Sequence, residues 1–158
     1  MHNFIIPVKK LNSDAKLPHR SYSTDSGADI FSNEKVTIYP FRSELVKTDI
    51  SLQIPKSTYL EKDNLKIIWE IQIRSKSGLA SKQDLFVLNQ PATIDNSYTG
   101  ELKVILFNAS EKTVEIKKGQ KVAQIILCPV VIPIFVETEE EFNNEERNDK
   151  GFGSTGLN

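Results

Sequence analysis

Several short stretches of this chain bring together side chains that could handle an anionic ligand. Near the C-terminus, Arg147 is followed by Lys150-Gly151-Phe152-Gly153-Ser154-Thr155-Gly156. Glycines admit backbone conformations closed to other residues, so such a loop can aim successive N–H groups at one anion. Ser154 and Thr155 add hydroxyl donors, Arg147 adds a planar fork suited to phosphate, and Phe152 offers a flat apolar face. A glycine-rich end with none of these groups would be an ordinary flexible tail.

The word Ser75-Lys76-Ser77-Gly78-Leu79-Ala80 puts a hydroxyl, a glycine N–H and an ammonium group at the start of a short helix. It reads either as a plain serine cap or as an anion site. The segment from Asn89 to Glu101 has two strand-like runs around a turn-rich centre, as in a hairpin. Unpaired backbone N–H and C=O groups at a hairpin mouth can pair with the hydrogen-bonding edge of a flat polar ligand. Asp95 and Tyr98 lie near that mouth, although aspartate is common in turns for conformational reasons alone. Gln124, inside an apolar strand, needs a partner, which could be backbone or phosphate. Asp29, in Asp25-Ser26-Gly27-Ala28-Asp29-Ile30, is equally open on its own.

The elements that must position these groups read as strands. Leu65, Ile67, Trp69, Ile71 and Ile73 alternate on one face of the run 65–74. Phe4–Val8, Glu34–Tyr39, Ser43–Ile54, Glu101–Phe107 and Thr113–Ile116 also read as strands. The turn spacing suits a sandwich or barrel, and a jelly roll is the specific expectation. The single helix candidate is a turn or two at Gly78–Asp84. Residues 55–65 carry no chemical word. Pro129 and Pro133 break the apolar run 122–136 and leave Ile134-Phe135-Val136 as a separate patch. The segment Glu137–Glu146 holds six glutamates, which marks it as a solvated linker.

Bulk composition narrows the function class. With 158 residues the chain suits one domain, and 39% hydrophobic with 26% charged content is that of a globular protein. A formal net charge of −1 gives no basic excess for gripping DNA. The lone Cys128 cannot form an internal disulfide and reads as an inert core thiol in a reducing, cytoplasmic compartment, or a nuclear one for a eukaryotic source or viral host. The apolar run is shorter than the roughly 18 residues a spanning helix needs, so no membrane partner is expected.

Taken together and in order, SGADI, RSKSGLASK, TIDNSYTGELKVILFN, GQKVAQ and GFGSTG resemble the five motifs of the trimeric, all-β dUTPases, from Gly27 to Gly156. The resemblance implies a jelly-roll subunit of the β-clip type over residues 1–136. It also implies a linker and mobile glycine-rich arm over 137–158 that closes on a neighbouring subunit of a homotrimer. It further implies Mg²⁺-assisted hydrolysis of dUTP to dUMP and pyrophosphate, which limits uracil in DNA and supplies dUMP for dTMP synthesis. No direct nucleic-acid partner is implied.

On that resemblance Asp95 orients and activates the attacking water. Tyr98 packs under deoxyribose and leaves no room for a 2′-hydroxyl. Asn89 and the hairpin backbone read uracil, with Ile94 and Lys103 also counted among the substrate-binding residues. Lys76, Ser77, Gly78 and Gln124 contact phosphate. Arg147, Gly153, Ser154 and Thr155 surround the γ-phosphate under the lid of Phe152. Asp29 holds water around Mg²⁺. The chain departs from the family pattern at Ser75, Lys76, Ala92, Ser97, Gln120, Lys121, Asn148 and Lys150, and none of these changes removes the water-activating group. The competing readings are a dCTP deaminase-like enzyme, which would release ammonia, and a non-catalytic dUTPase-like binding or signalling protein.

Overall fold

The computed structural model describes residues 4–54, 60–62 and 65–141. Alternating apolar residues build its strands, and every pairing among the described residues is antiparallel. One sheet takes β1 (Val8–Lys10), β4 (Ser43–Leu52), β9 (Glu101–Asn108) and β7 (Leu85–Val87), in the order β1-β4-β9-β7. The other takes β2 (Ala28–Phe31), β11 (Lys121–Val131), β6 (Leu65–Arg74) and β5 (Leu60–Lys62), in the order β2-β11-β6-β5. A further strand, β8 (Ala92–Ile94), also pairs with β6, at Ile71–Ile73. A two-stranded ribbon joins β3 (Val36–Ile38) to β10 (Val114–Ile116). This is the all-β, jelly-roll type of architecture expected from the alternation.

The core follows the inward positions of both sheets. Leu102, Val104 and Leu106 of β9 are buried, with Ile71 and Ile73 of β6 and Ile125 of β11 in the same apolar cluster. Burying each such side chain contributes about 1.5–3 kcal/mol. Asn108 ends β9 fully buried, its amide donating to the carbonyls of Ile38, Tyr39 and Lys112 while its oxygen accepts from Ser110. A buried amide left unpaired would cost about 1–3 kcal/mol, so this network ties β3, β9 and the following turn together.

Two ladders carry irregularities that matter later. In β4 the register shifts between Lys47 and Ser51, where Asp49 adopts a left-handed φ of 52°. In β11 the register against β2 shifts between Lys121 and Ala123. Such bulges re-aim the side chains beside them.

The first strand is shorter and later than expected. Phe4–Pro7 lie outside it, and the ladder begins at Val8 opposite Leu52. Pro7 has no N–H to give a ladder, and only its carbonyl is used, accepting from Gln53 at 3.1 Å. Cys128, expected in the core, is half-buried on β11 opposite Glu70. Beyond β11 the chain runs out with Ile134, Phe135 and Val136 almost wholly exposed.

Candidate active site

The short helix α1 spans Ser77–Gln83 and follows β6 directly. Ser77 does not cap it. Lys76 occupies the cap position in extended conformation, without a side-chain cap bond, so its own side chain is free to turn elsewhere. At the other end Asp84 adopts a left-handed φ of 50° and donates its N–H to the Leu79 carbonyl.

The Lys76 side chain meets Asp29. The carboxylate of Asp29 pairs through Oδ1 with the Lys76 ammonium and through Oδ2 with the Lys121 ammonium at 2.7 Å. Lys121 Nζ also donates to Ser21 Oγ at 3.3 Å. Burial alone would raise the Asp29 carboxyl, but the hydrogen bonds and charges of Lys121 and Lys76 outweigh it and hold the group below its ordinary value of 3.8. The backbone around Asp29 is equally engaged, with paired hydrogen bonds to His19 at 3.0 and 2.7 Å.

Gln124 stands directly across the ladder from Asp29, and Arg74 directly across from Gln124. Its amide donates to the Ser75 carbonyl at 2.9 Å, so backbone satisfies its donor side. The side chain lies over Gly27, where an added Cβ would come within 2.1 Å of Oε1. Ser75 is fixed in turn: its N–H donates to Gln90 Oε1 at 3.0 Å, and its hydroxyl accepts from the Val87 N–H at 2.8 Å. Folding thus gathers Asp29, Lys76, Lys121 and Gln124, with exposed Ser77 and Gly78 next in sequence to Lys76.

A second group forms around the turn that follows β8. Thr93, Ile94, Asp95, Tyr98, Glu101 and Lys103 line a cleft of about 200 Å³. The Tyr98 N–H donates to the Asp95 carbonyl at 3.0 Å, and its hydroxyl donates to the Glu101 carbonyl at 2.9 Å. The ring crosses Gly100, where a Cβ would meet the Tyr98 hydroxyl at 2.5 Å; only glycine leaves room for it. Asn96 pins the turn to β6 through the Trp69 carbonyl at 3.0 Å. The Asp95 carboxylate is exposed and has no partner among the described residues.

Sequence reasoning missed Glu101. Its carboxylate accepts from the Asp49 N–H at 3.3 Å and pairs with Lys103 Nζ at 3.3 Å. The left-handed turn of Asp49 in the β4 bulge makes the first contact, and no local pattern in the sequence announces it.

The hairpin expected around Asp95 is corrected. β8 pairs with β6 and β9 pairs with β4 and β7, so the two flanking strands belong to different sheets. The Asp95 turn is therefore a strap between layers, not the tip of a two-stranded ladder. Asn89 is exposed in the turn before the cis Gln90–Pro91 bond and is not among the residues lining the Asp95 cleft. Arg147, Phe152, Gly153, Ser154 and Thr155 lie outside the described residues.

Among the described residues, Asp29, Lys76, Lys121 and Gln124 do not line the Asp95 cleft. Gln124 and the Asp95 turn are two strand spacings apart across the sheet and four residues apart along it, which is roughly 15 Å. One group is a cationic patch around an ion-paired carboxylate. The other is a small cleft with an unpaired carboxylate.

The dUTPase family matches residues 66–156. A deoxyuridine 5′-triphosphate nucleotidohydrolase of Hydrogenobaculum sp. (strain Y04AAS1) is 45% identical over 151 residues, covering 95% of this chain and 96% of that protein. A protein of the same name from Clostridioides difficile is 41% identical over 96% of this chain and 98% of its own length. The fold is similar to that of the Staphylococcus bacteriophage 80alpha dUTPase with dUpNHpp, with a TM-score of 0.79 and 27% identity over 98% of this chain and 100% of that one. It is also similar to a mutant dUTPase of S. aureus phage phi11 in which a structural Mg(II) ion is coordinated, with a TM-score of 0.72 and 25% identity over 88% of this chain and 99% of that one. On the family match and the near full-length relatives, this chain belongs to the dUTPase family.

Proposed function

We propose that this chain hydrolyses dUTP to dUMP and pyrophosphate. The observation that carries the reading is the exposed Asp95 carboxylate, unpaired among the described residues, lining one cleft with Tyr98. A carboxylate so placed can accept a proton from water as the water oxygen attacks the α-phosphorus. The new bond forms between that oxygen and phosphorus, the bond to the bridging oxygen breaks, and pyrophosphate leaves with its electron pair. Such a step is mostly a matter of positioning, and a well-placed base adds about 10²–10⁴-fold.

Tyr98 would lie under the deoxyribose, its ring held by the hydroxyl bond to Glu101 and by the space at Gly100. Ile94 and Lys103 line the same cleft. Asn89 and backbone groups near the turn would read the base. Lys76, Ser77, Gly78 and Gln124 would receive phosphate oxygens, completed by Arg147, Gly153, Ser154 and Thr155 of the arm, with Phe152 as a lid.

Mg²⁺ fits this arrangement as a companion of the triphosphate. Among the described residues no three His, Cys, Asp or Glu side chains cluster to hold a metal, which suits a cation kept by substrate oxygens and its own water. When bound it would offset phosphate charge and polarise the reacting phosphoryl group. Asp29 could accept from a coordinated water only through lone pairs that its two lysines leave unused.

The roughly 15 Å between the phosphate-facing patch and the Asp95 cleft supports a homotrimer in which each site joins residues from neighbouring copies. Residues 1–136 would form the body of each subunit, and 137–158 the linker and arm that reach across.

Pyrophosphate release from dUTP with Mg²⁺ tests the reading, run beside an ammonia assay and with dCTP and dTTP as competitors. Pyrophosphate without ammonia is expected, with dCTP and dTTP poor substrates because each mismatches a uracil-shaped edge. Ammonia release, or comparable turnover of dCTP or dTTP, would contradict it.

A further inference from the structure

Lys103 helps to line a small cleft that holds two carboxylates. Asp95 and Glu101 both border the same space of about 200 Å³, and the flexible four-carbon stem of a lysine can swing its ammonium between them. In the folded chain the ammonium sits on Glu101, with Nζ 3.3 Å from Oε2. Asp95 is left exposed and without a partner among the described residues.

Several features bias that choice. Glu101 and Lys103 stand two positions apart on β9 and so share one face of the strand. The buried Leu102 between them fixes which face that is. Glu101 is tethered from its other oxygen, where Oε1 accepts from the Asp49 N–H at 3.3 Å. The left-handed φ of 52° in the β4 bulge aims that N–H, and Asn33 Nδ2 steadies Asp49 by donating to its Oδ2 at 2.6 Å. Across the ladder, Lys47 stands directly opposite Lys103. Like charges so placed repel, so the Lys103 ammonium gains from any anion within reach. Without the Glu101 charge, the carboxylate that remains in the lining of the cleft is Asp95.

We infer that Glu101 is a positioning residue for the reaction: it holds the Lys103 ammonium away from Asp95 and so keeps that carboxylate open to the attacking water. This rests on the dUTP reading, in which Asp95 accepts the proton. An Asp95 captured by Lys103 would have its oxygens occupied and would be a poorer proton acceptor. Asp29 already stands in that condition, with an ammonium on each oxygen.

Glu101→Gln isolates the charge. The amide keeps an oxygen for the Asp49 N–H, and the Tyr98 hydroxyl donates to the backbone carbonyl of residue 101, which the substitution leaves in place. In dUTP turnover by the full chain with Mg²⁺, Glu101→Gln should lower kcat by about five- to fifty-fold, between the worth of an exposed ion pair and that of a hydrogen bond to a charged group. KM should change far less. Crystals of the same variant should show Lys103 Nζ moved onto an Asp95 carboxylate oxygen. The double variant Glu101→Gln/Lys103→Met removes the competing ammonium and should recover most of the lost kcat, whatever it does to KM. Glu115→Gln, which removes an exposed carboxylate paired with Lys35, should leave kcat as in the parent. An unchanged kcat in Glu101→Gln would overturn the inference. So would a double variant no faster than Glu101→Gln, the result expected if Glu101 only braces the fold, or an equal fall in Glu115→Gln. Crystals of Glu101→Gln in which Lys103 stays off Asp95 would overturn it as well. If the parent does not turn over dUTP, the proposed function falls, while the place of the Lys103 ammonium in the Glu101→Gln crystals still decides whether Glu101 holds it.

Discussion

Asp29 sits within a strand with two ammonium groups on its carboxylate, whereas Asp95 stands on a turn with its carboxylate exposed and unpaired among the described residues. Both are aspartates near strand ends of one sheet, and both belong to short words that the sequence sets apart. Their surroundings give them different work. A carboxylate paired with two cations is a weak proton acceptor but a firm anchor, because their hydrogen bonds and charges favour its ionised form. An unpaired carboxylate lining a cleft stabilises little, yet no group among the described residues occupies its oxygens. The fold spends its structure on one and leaves the other available.

That contrast breaks first at Asp95. Asp95→Asn should lower dUTP turnover by about 10²–10⁴-fold while changing stability by no more than about 0.5 kcal/mol, as for other exposed positions. Pyrophosphate release and thermal melting together check it, and a large stability loss with normal turnover would reverse the roles drawn here.

Asp29→Asn, unlike Asp95→Asn, should act on stability at neutral pH as well as on the lysines it holds. Losing the charge strands two lysines beside each other and should cost about 1–3 kcal/mol of stability. Acid sharpens the test. The folded carboxyl lies below its ordinary value of 3.8, so its stabilisation is complete above that value and fades as pH falls through the lower, folded one. Denaturant melts across that range should show the gap between parent and Asp29→Asn closing as pH drops below 3.8. A gap that persists in strong acid would mean the ion pairs are not its source.

The smallest effect is expected at Gly27. Its Cβ in Gly27→Ala would push Gln124 Oε1 from 2.1 Å and release the amide from Ser75. Loss of one neutral hydrogen bond is worth about 1 kcal/mol, and the displaced amide should raise KM for dUTP more than it lowers kcat. An unchanged KM would remove Gln124 from the phosphate-facing group.

Much of this was legible in the sequence where local pattern and fold agree. The run Leu65–Arg74 alternates cleanly and forms β6 over those same residues. The short helix after Ser75-Lys76 is present within a residue of its expected start. Legibility fails where pairing is decided by distant chain. The runs flanking Asp95 look like hairpin arms because they are close in sequence, yet β6 and β4 claim them for different sheets. Lys121 looked like drift because a bulge is defined by its partner strand; the available hint was the pair of apolar residues, Val122-Ala123, between two polar ones. Glu101 gave no hint, since its partner Asp49 is brought to it by a left-handed residue in another strand.

The strap that carries Asp95 begins in one layer and ends in the other. Its geometry therefore gauges the gap between the layers. Mild heating or hydrostatic pressure that lets the sandwich breathe would shift the lip before the ladders themselves come apart, so loss of turnover on warming should run ahead of the loss of β structure.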